Sequence, residues 1–347
     1  MTTMKAALYQ GDRKLKVRDI PKPALGPGQV TVKVRAEGVC GSDLLLWWDK
    51  KEPEERPAGH EVSGEIVEVG KGVSKDRIGE HVAIDILGMG LNCNVCWYCR
   101  QGQTIHCTNK KPDTGGGYAE YIVRNSSGCF TIPKSLSWEE CGLAEPLAVS
   151  VHAVRRGRMK PGETVLVLGA GNIGLTSVAA ARAMGAGKVI VTARHPHQAD
   201  MAKKVGADVV LPDKGKELED GIADATDGRG ADVILESVGG RTDATIQQSI
   251  KFARKQGRIV ILGGFWVPIT VDWLQPLMKE HSIIFSSCYG VLDARDDFEV
   301  AIDLMADKRV NIKPMVTHKF GLDDIQKAVD TAYDKTSGSI KVQIHMS

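Results

Sequence analysis

The chain has 347 residues, a length at which two domains are expected, and its 42% hydrophobic and 25% charged residues are ordinary for a globular protein. A formal net charge of +2 and an aromatic content of 5% give no support to nucleic acid or an anionic membrane as a partner. The N-terminus lacks a signal-peptide pattern and no stretch resembles a membrane span, so we expect a cytoplasmic protein.

The first 150 residues are predicted to be rich in strands and loops. Residues 29–35 alternate polar and apolar side chains after a turn signal at 25–28, as a half-buried strand should. Residues 64–70 and 81–86 show similar patterns.

After Glu145 and Pro146 the pattern changes to alternating strands and helices. Short, continuously apolar strands that alternate with helices predict a parallel sheet covered on both faces. The predicted helices are Ala144–Arg156, 173–184, 197–205 and 244–253, and the predicted strands are Thr164–Leu168, Lys188–Thr192, Val209–Leu211, 232–235 and 258–262.

The C-terminal residues are predicted to return to the first domain. Helices are expected at 296–306 and 322–333, and a final strand at 339–345. The expected organisation is one domain of residues 1–153 and 290–347, interrupted by a second domain of residues 154–289.

A glycine pattern, G-x-G-x-x-G, joins a predicted strand to a predicted helix. It consists of Gly169, Gly171 and Gly174, with Asn172 and Ile173 between the last two. Such glycines allow a tight turn, close approach of the backbone to a pyrophosphate and close packing of helix on strand. The alternative is a plain glycine-rich turn, but the flanking strand and helix favour a dinucleotide site.

The end of the next predicted strand bears on the choice of nucleotide. NAD sites usually carry an acidic residue there, whereas this chain has Ala193, followed by Arg194 and His195. The missing carboxylate and the added guanidinium both favour the 2′-phosphate of NADP. The alternative is an NAD site in which Arg194 is only a solvated surface residue.

Four cysteines follow one another closely at residues 93, 96, 99 and 107. Four thiolates at such spacing suit a closed, tetrahedral structural zinc site, in a lobe spanning residues 92–108. An iron–sulfur cluster is the main alternative, but ferredoxins place the fourth cysteine after three residues and before proline. A nucleic-acid-binding knuckle lacks a basic, aromatic surface, and disulfides fit poorly with a reducing compartment. The predicted ligands are Cys93, Cys96, Cys99 and Cys107.

A second set of residues is dispersed: Cys40 within Cys-Gly-Ser-Asp, His60 and Glu61 within Gly-His-Glu, and Glu145 before Pro146. Each is weak evidence alone, since an isolated cysteine is usually a small core residue. Together with the cysteine lobe and the glycine pattern, and in this order, they resemble the zinc-dependent medium-chain alcohol dehydrogenases. Within that family the resemblance is to the sorbitol, threonine and butanediol dehydrogenase branch, and it covers nearly the whole chain.

The resemblance implies a GroES-like, β-rich catalytic domain with an inserted Rossmann domain, and an active site in the cleft between them. It implies that Cys40, His60 and Glu61 bind a catalytic zinc, and that Glu145 binds this metal or holds its water. Asp43 would orient His60, Ser42 would accept the hydroxyl proton, and Gly263 would line the nicotinamide. Two zinc ions per chain and a homodimer or homotetramer are also implied.

The sequence departs from these relatives next to Asp43. Leu45 replaces the histidine that ends their proton relay, and Leu46 replaces a substrate-contacting tyrosine. A less polar pocket is therefore expected, with Trp47, Trp48, Phe265 and Trp266 as candidate wall residues, although such residues are more often part of a core. His152 is expected to be a packed histidine, and Cys129, Cys141 and Cys288 are expected to be buried thiols.

The implied function is hydride transfer between a secondary alcohol and NADP, with a small-molecule alcohol or ketone as substrate. One alternative is a catalytically inactive homologue that binds NADPH. Another is a zinc-independent reductase of quinones or enones, which would lack both sets of zinc ligands.

Overall fold

The structure is a computed structural model that describes residues 2–43 and 50–346. It contains two compact units. The first comprises Met1–Glu145, Gly290–Ala306 and Lys313–Ser347, and the second comprises Pro146–Tyr289 and Asp307–Ile312. The sequence placed the first domain boundary at residue 153, and the compact units change at Glu145.

The N-terminal part of the first unit consists of strands joined by turns and loops. The alternation at 29–35 does form a strand, which continues to Gly38 with most of its side chains buried. The strands are β1 (Thr3–Tyr9), β2 (Leu15–Pro21), β3 (Gln29–Gly38), β4 (Glu61–Val69), β5 (His81–Ile84), β6 (Tyr121–Asn125) and β7 (Cys129–Thr131), and the helices are α1 (Trp97–Arg100) and α2 (Trp138–Cys141).

The following segment alternates strands and helices, as its apolar periodicity predicts. Four of the predicted helices form, each within one residue of its predicted start. The elements are α3 (Ala144–Arg156), β8 (Thr164–Leu168), α4 (Asn172–Ala183), β9 (Lys188–Thr192), α5 (Pro196–Lys204), β10 (Val209–Leu211), α6 (Lys216–Ala225), β11 (Ala231–Glu236), α7 (Ala244–Phe252), β12 (Ala253–Ile261), α8 (Leu274–Met278) and β13 (Ser282–Phe285).

The strands of the second unit form one six-stranded sheet in the order β10-β9-β8-β11-β12-β13. All its neighbouring strands are parallel. The order runs outward in both directions from β8, so the carboxyl ends of β8 and β11 meet where the strand order reverses. Ligands of doubly wound sheets bind at such a switch point.

The C-terminal residues return to the first unit. Their elements are β14 (Val291–Leu292), β15 (Arg295–Asp296), α9 (Asp297–Ala306), β16 (Val316–Phe320), α10 (Ile325–Tyr333) and β17 (Lys341–His345). Strand β17 pairs antiparallel with β3. The resulting seven-stranded sheet has the order β16-β17-β3-β4-β5-β7, and β6 also pairs with β3.

Each unit has its own apolar core. In the first unit, valines and isoleucines of β3, β4 and β5 form a buried cluster that includes Val32 and Ile66. In the second, side chains of the parallel sheet pack with those of α6 and α7, including Leu168 and Ile246. Among the described residues, no helix combines the length and the apolar character that a bilayer span requires.

Candidate active site and metal centres

The pairing of β3 with β4 brings the dispersed residues together. Gly38 at the end of β3 is the cross-strand partner of Glu61 at the start of β4, with Cys40 just beyond Gly38 and His60 just before Glu61. One ligand atom from each of Cys40, His60 and Glu61 lies within 4.8 Å of the others. A Cβ atom at Gly38 would lie 1.9 Å from Glu61 Oε2, so only glycine leaves room for that carboxylate.

Asp43 lies beside His60. Its Oδ1 is 3.3 Å from His60 Nδ1, and its Oδ2 accepts hydrogen bonds from the Tyr118 hydroxyl at 2.9 Å and the Cys40 amide at 3.2 Å. Burial lowers the pKa of His60, but the Asp43 carboxylate outweighs burial and holds that pKa well above its ordinary value. The contact on Nδ1 leaves Nε2 as the ring nitrogen for a metal, which is the arrangement that metal-binding histidines generally need.

A buried ion pair holds Glu61 from the opposite side. Lys341 Nζ donates to Glu61 Oε1 at 2.6 Å and Oε2 at 2.5 Å, and to the Val39 carbonyl at 3.1 Å. The exposed fractions of the Lys341 and Glu61 side chains are 1% and 0%. Burial lowers the pKa of Lys341, but the Glu61 carboxylate outweighs burial and the net effect raises it. Lys341 was not among the predicted site residues; its signal in the sequence is a lysine at the start of the short final strand, which also carries Gln343 and His345.

Glu37 is a second residue that the sequence analysis missed. Its Oε1 accepts the Glu61 amide at 3.0 Å, while its buried Oε2 has no hydrogen-bond partner within the described part of the chain. Cβ atoms at Gly59 and Gly117 would lie 2.8 and 1.9 Å from this carboxylate, so two glycines make its space. Burial raises the pKa of Glu37 well above its ordinary value.

Glu145 is buried but is not part of the three-residue ligand group that the described residues form. Burial raises its pKa to about 8, and His60 lowers and Glu61 raises that pKa through their charges. Four buried carboxyl groups, those of Glu37, Asp43, Glu61 and Glu145, thus share one region of the first unit with a thiol and an imidazole. This donor set fits a divalent cation, which would relieve the desolvation of the carboxylates.

The Ser42 hydroxyl lies 3.3 Å from Cys40 Sγ, next to the same group.

Of the predicted pocket residues, Leu45, Leu46, Trp47 and Trp48 fall within residues 44–49, which lie outside the described residues. Phe265 is partly buried and packs against the core of the second unit, whereas Trp266 is exposed.

The four clustered cysteines form a compact sulfur group. All four Sγ atoms lie within 4.8 Å of one another, with Cys96 and Cys99 at 3.4 Å and Cys93 and Cys99 at 4.0 Å. A tetrahedral zinc with Zn–S bonds of ~2.3 Å separates its sulfurs by roughly 3.8 Å. A four-iron cluster binds each thiolate to a different iron and therefore needs a wider spacing. The geometry fits one zinc ion.

Backbone amides support thiolate charge in this lobe. Hydrogen bonds from the backbone at Cys99 and Thr108 lower the pKa of Cys96 to about 6, whereas burial raises the pKa of Cys99 to about 12.

Of the remaining thiols, Cys129 and Cys141 are buried, as predicted, and burial raises the pKa of each to about 12. The prediction for Cys288 is wrong: it is partly exposed, at a turn where its φ is 55°.

The glycine pattern forms the turn between β8 and α4. Gly169 has a φ of 94°, and Gly171 is the N-cap of α4, whose first residues are Asn172 and Ile173. A Cβ atom at Gly174 would lie 1.9 Å from the Gly169 carbonyl oxygen, whereas one at Gly171 would meet nothing within 4 Å. Gly174 therefore allows close packing, and Gly171 leaves open space in front of the amides of the helix.

Four further predicted cofactor residues, Ala193, Arg194, His195 and Gly263, follow strands β9 and β12 at the same edge of the sheet. Gly263 follows β12, and its amide donates to the Glu236 carbonyl at 3.0 Å. Arg194 follows β9, and its Nε donates to Asp213 Oδ2 at 2.8 Å. Ala193 precedes Arg194, and His195 is the N-cap of α5.

His152, which was predicted to be a packed histidine, lies on α3 and is partly buried.

Comparison with known proteins identifies the family. Residues 26–134 match the alcohol dehydrogenase GroES-like domain, and residues 172–307 match the zinc-binding dehydrogenase family. Sorbitol dehydrogenase of Bacillus subtilis is 32% identical over 99% of this chain and 97% of its own length.

Two solved structures share the fold over their whole length and that of this chain. An Escherichia coli alcohol dehydrogenase complexed with NADH has a TM-score of 0.87 at 28% identity. A zinc-binding dehydrogenase of Sinorhizobium meliloti bound to NADP has a TM-score of 0.84 at 28% identity. The predicted fold class, a GroES-like domain with an inserted Rossmann domain, is confirmed. The chain belongs to the zinc-dependent medium-chain alcohol dehydrogenase family, in its sorbitol and threonine dehydrogenase branch.

Proposed function

We propose that the chain is a zinc-dependent oxidoreductase that transfers hydride between a secondary alcohol and NADP. The proposal depends on one observation, the convergence of Cys40, His60 and Glu61 ligand atoms within 4.8 Å. Three protein ligands that leave one position for water or substrate are typical of catalytic zinc. The sorbitol dehydrogenase relative supports a polyol or diol, and the leucines at 45 and 46 support a more hydrophobic alcohol.

Each residue of the site has a distinct proposed role. Cys40, His60 and Glu61 hold the zinc, and Glu145 binds it directly or holds its water. A zinc ion bound there supplies Lewis-acid polarisation of the substrate oxygen. Asp43 fixes the orientation and tautomer of His60 through the 3.3 Å contact to Nδ1. Ser42, beside Cys40, would accept the hydroxyl proton while its own proton passes on to solvent.

Turnover and its metal dependence test this function directly. Purified protein should be screened for NADP+ reduction with polyols, vicinal diols, amino alcohols and cyclic or hydrophobic alcohols. We expect at least one class to be oxidised, activity to be lost with 1,10-phenanthroline, and added Zn²⁺ to restore it. Turnover that survives complete removal of metal would contradict the proposal and favour the zinc-independent quinone or enone reductase. Zinc-loaded protein that binds NADPH without any turnover would favour the inactive homologue.

We further propose a second, structural zinc held by Cys93, Cys96, Cys99 and Cys107, giving two zinc ions per chain. The sulfur separations of 3.4 and 4.0 Å support one ion and not a cluster. Elemental analysis should therefore give two zinc and no iron per chain. A brown, iron-containing protein would contradict this assignment. Such a reduced cysteine site is consistent with the proposed cytoplasmic location.

NADP is proposed as the preferred nucleotide, with NAD as the alternative. Ala193 brings no negative charge to the end of β9, and the Arg194 guanidinium is exposed there. The double substitution Ala193→Asp with Arg194→Leu should shift the ratio of kcat/KM values from NADP+ toward NAD+. Lys216→Leu, which removes an exposed cation of the same unit, is the matched control and should leave the ratio unchanged. An unaltered ratio in the double variant would contradict the assignment.

A homodimer or homotetramer is proposed as the functional assembly. Strand β13 is an edge of the six-stranded sheet, and large apolar side chains are exposed on it and on α8 just before it. They are Trp273, Leu274, Leu277, Met278 and Phe285. Several large exposed apolar side chains beside an open sheet edge are typical of an interface with another chain. Light scattering after size-exclusion chromatography should give a mass of two or four chains, and a monomer would contradict the proposal.

A further inference from the structure

We propose that Asp213 is a specificity-determining residue, which competes with the 2′-phosphate of NADP for Arg194 and so weakens the preference for NADP over NAD. The inference rests on the proposed NADP site and adds a residue to it. Sequence patterns place the cofactor-selecting residues at the end of β9, whereas Asp213 follows β10, the next strand along the chain.

The strand register places the two side chains together. Strands β9 and β10 are parallel, and their last paired residues are Thr192 and Leu211. Arg194 and Asp213 each lie two residues beyond that pair, at the same carboxyl edge. The Ala193 amide donates to the Leu211 carbonyl at 2.8 Å, which keeps the two chain segments adjacent.

Asp213 is held more firmly than Arg194. Its backbone carbonyl accepts a hydrogen bond from Gln248 Nε2 at 2.8 Å, and its side chain is 30% exposed. Arg194 is 72% exposed, and its Nε donates to Asp213 Oδ2 at 2.8 Å. The Asp213 backbone is therefore anchored and its side chain partly buried, whereas the Arg194 guanidinium is the more exposed partner, which a ligand can reach.

The Arg194–Asp213 pair has little net charge, so it attracts a phosphate dianion less than Arg194 alone would. A 2′-phosphate gains from bidentate contact with Arg194 but meets the Asp213 carboxylate on the same edge. Ala193 brings no carboxylate to this edge, but Asp213 provides one from the neighbouring strand. The 2′-hydroxyl of NAD carries no charge, so Asp213 does not repel it and can accept its hydrogen bond.

Solvent exposure keeps the expected effect moderate. A charge facing a dianion at roughly 6 Å in a water-like dielectric alters affinity about tenfold. Asp213→Asn keeps the size of the side chain and the backbone bond to Gln248, so we expect the variant to fold. It should lower the Kd for NADP+ about tenfold and leave the Kd for NAD+ within about twofold of the parent value.

The test is calorimetric titration of the full, zinc-loaded chain with NADP+ and with NAD+. The matched control is Asp220→Asn, which removes an exposed carboxylate of the same unit that pairs with Lys216 at 2.7 Å, and should change neither Kd. If Asp213→Asn leaves the NADP+ affinity unchanged, or shifts both nucleotides equally, the proposal is overturned. Weaker NADP+ binding would also overturn it, because Asp213 would then orient Arg194 for the phosphate.

The Arg194→Leu variant distinguishes a failure of this proposal from a failure of the proposed NADP site. Loss of NADP+ affinity with unchanged NAD+ affinity means that the NADP site is correct, whatever Asp213 does. Unchanged affinity for both means that the NADP site itself is misassigned. Competition for the guanidinium further predicts that Asp213→Asn improves NADP+ binding less in the Arg194→Leu background than alone. An equal gain in both backgrounds would assign the effect to direct repulsion and would overturn competition for Arg194.

Discussion

The buried ion pair between Lys341 and Glu61 gives a quantitative test of how the candidate active site is built. Replacing Lys341 by methionine keeps the length of the side chain but removes the cation. The Glu61 carboxylate then loses both hydrogen bonds from Nζ, and the Val39 carbonyl loses one. Both side chains are almost completely buried, so water cannot replace these bonds. Breaking a buried pair by removing one partner costs about 3–5 kcal/mol.

The matched control is Lys319→Met on β16, the strand next to β17. Lys319 pairs with Glu139 at 2.8 Å, but its side chain is 54% exposed. An exposed pair contributes only about 0–1 kcal/mol. The two substitutions are chemically identical and affect adjacent strands of one sheet, so any difference between them reports burial.

Thermal scans at one heating rate provide the assay. At about 2–4 °C per kcal/mol for a unit of this size, Lys341→Met should lower the first unfolding transition by roughly 6–20 °C. The control should lower it by about 4 °C or less. Lys341→Arg, which keeps the charge, should recover part of the loss. If Lys341→Met is no more destabilising than Lys319→Met, the ion pair does not hold Glu61 and the reasoning is refuted.

Two further predictions concern a buried carboxyl and the glycine turn. Burial raises the pKa of Asp296 to about 7, so the protonated group is favoured in the fold, and stability present at acidic pH is lost as pH rises toward 7. In urea unfolding, the free energy of unfolding of Asp296→Asn should therefore stay close to that of the parent at pH 4 and exceed it by roughly 4 kcal/mol at pH 8, at about 1.4 kcal/mol per pKa unit. An equal difference at both pH values would count against this. Gly174→Ala forces a Cβ atom to 1.9 Å from the Gly169 oxygen and should lower both stability and cofactor affinity. A Cβ atom at Gly171 meets nothing within 4 Å, so Gly171→Ala should lower cofactor affinity but not stability. Calorimetry measures the affinity and thermal scans the stability of both variants. Equal effects of Gly174→Ala and Gly171→Ala on both properties would argue against the assigned roles.

Local patterns predicted the elements whose information lies within a few residues. The glycine turn, the cysteine lobe and the apolar strands of the parallel sheet depend on short-range spacing, so their positions could be predicted from the chain alone. Helix Lys216–Ala225 was missed because its first half is strongly charged and Gly221 interrupts its apolar face. The hairpin of Thr3–Tyr9 and Leu15–Pro21 was also missed.

The supports of the site were missed for a different reason. Lys341 and Glu61 are 280 residues apart, and only the pairing of β17 with β3 brings them into the same layer. Glu37 and Asp213 depend in the same way on the register of neighbouring strands. The family resemblance supplied candidate metal ligands, but Lys341 and Glu37, which hydrogen-bond to Glu61, become visible only when the strands are paired.

Zinc content and turnover of Cys40→Ser, measured on the same samples, test the central claim most directly. We expect Cys40→Ser protein to contain one zinc per chain instead of two, to lose alcohol oxidation, and to bind NADPH as the parent protein does. A Cys40→Ser protein that keeps two zinc ions and oxidises its alcohol at the parent rate would contradict the assignment of Cys40, His60 and Glu61 as the catalytic metal site.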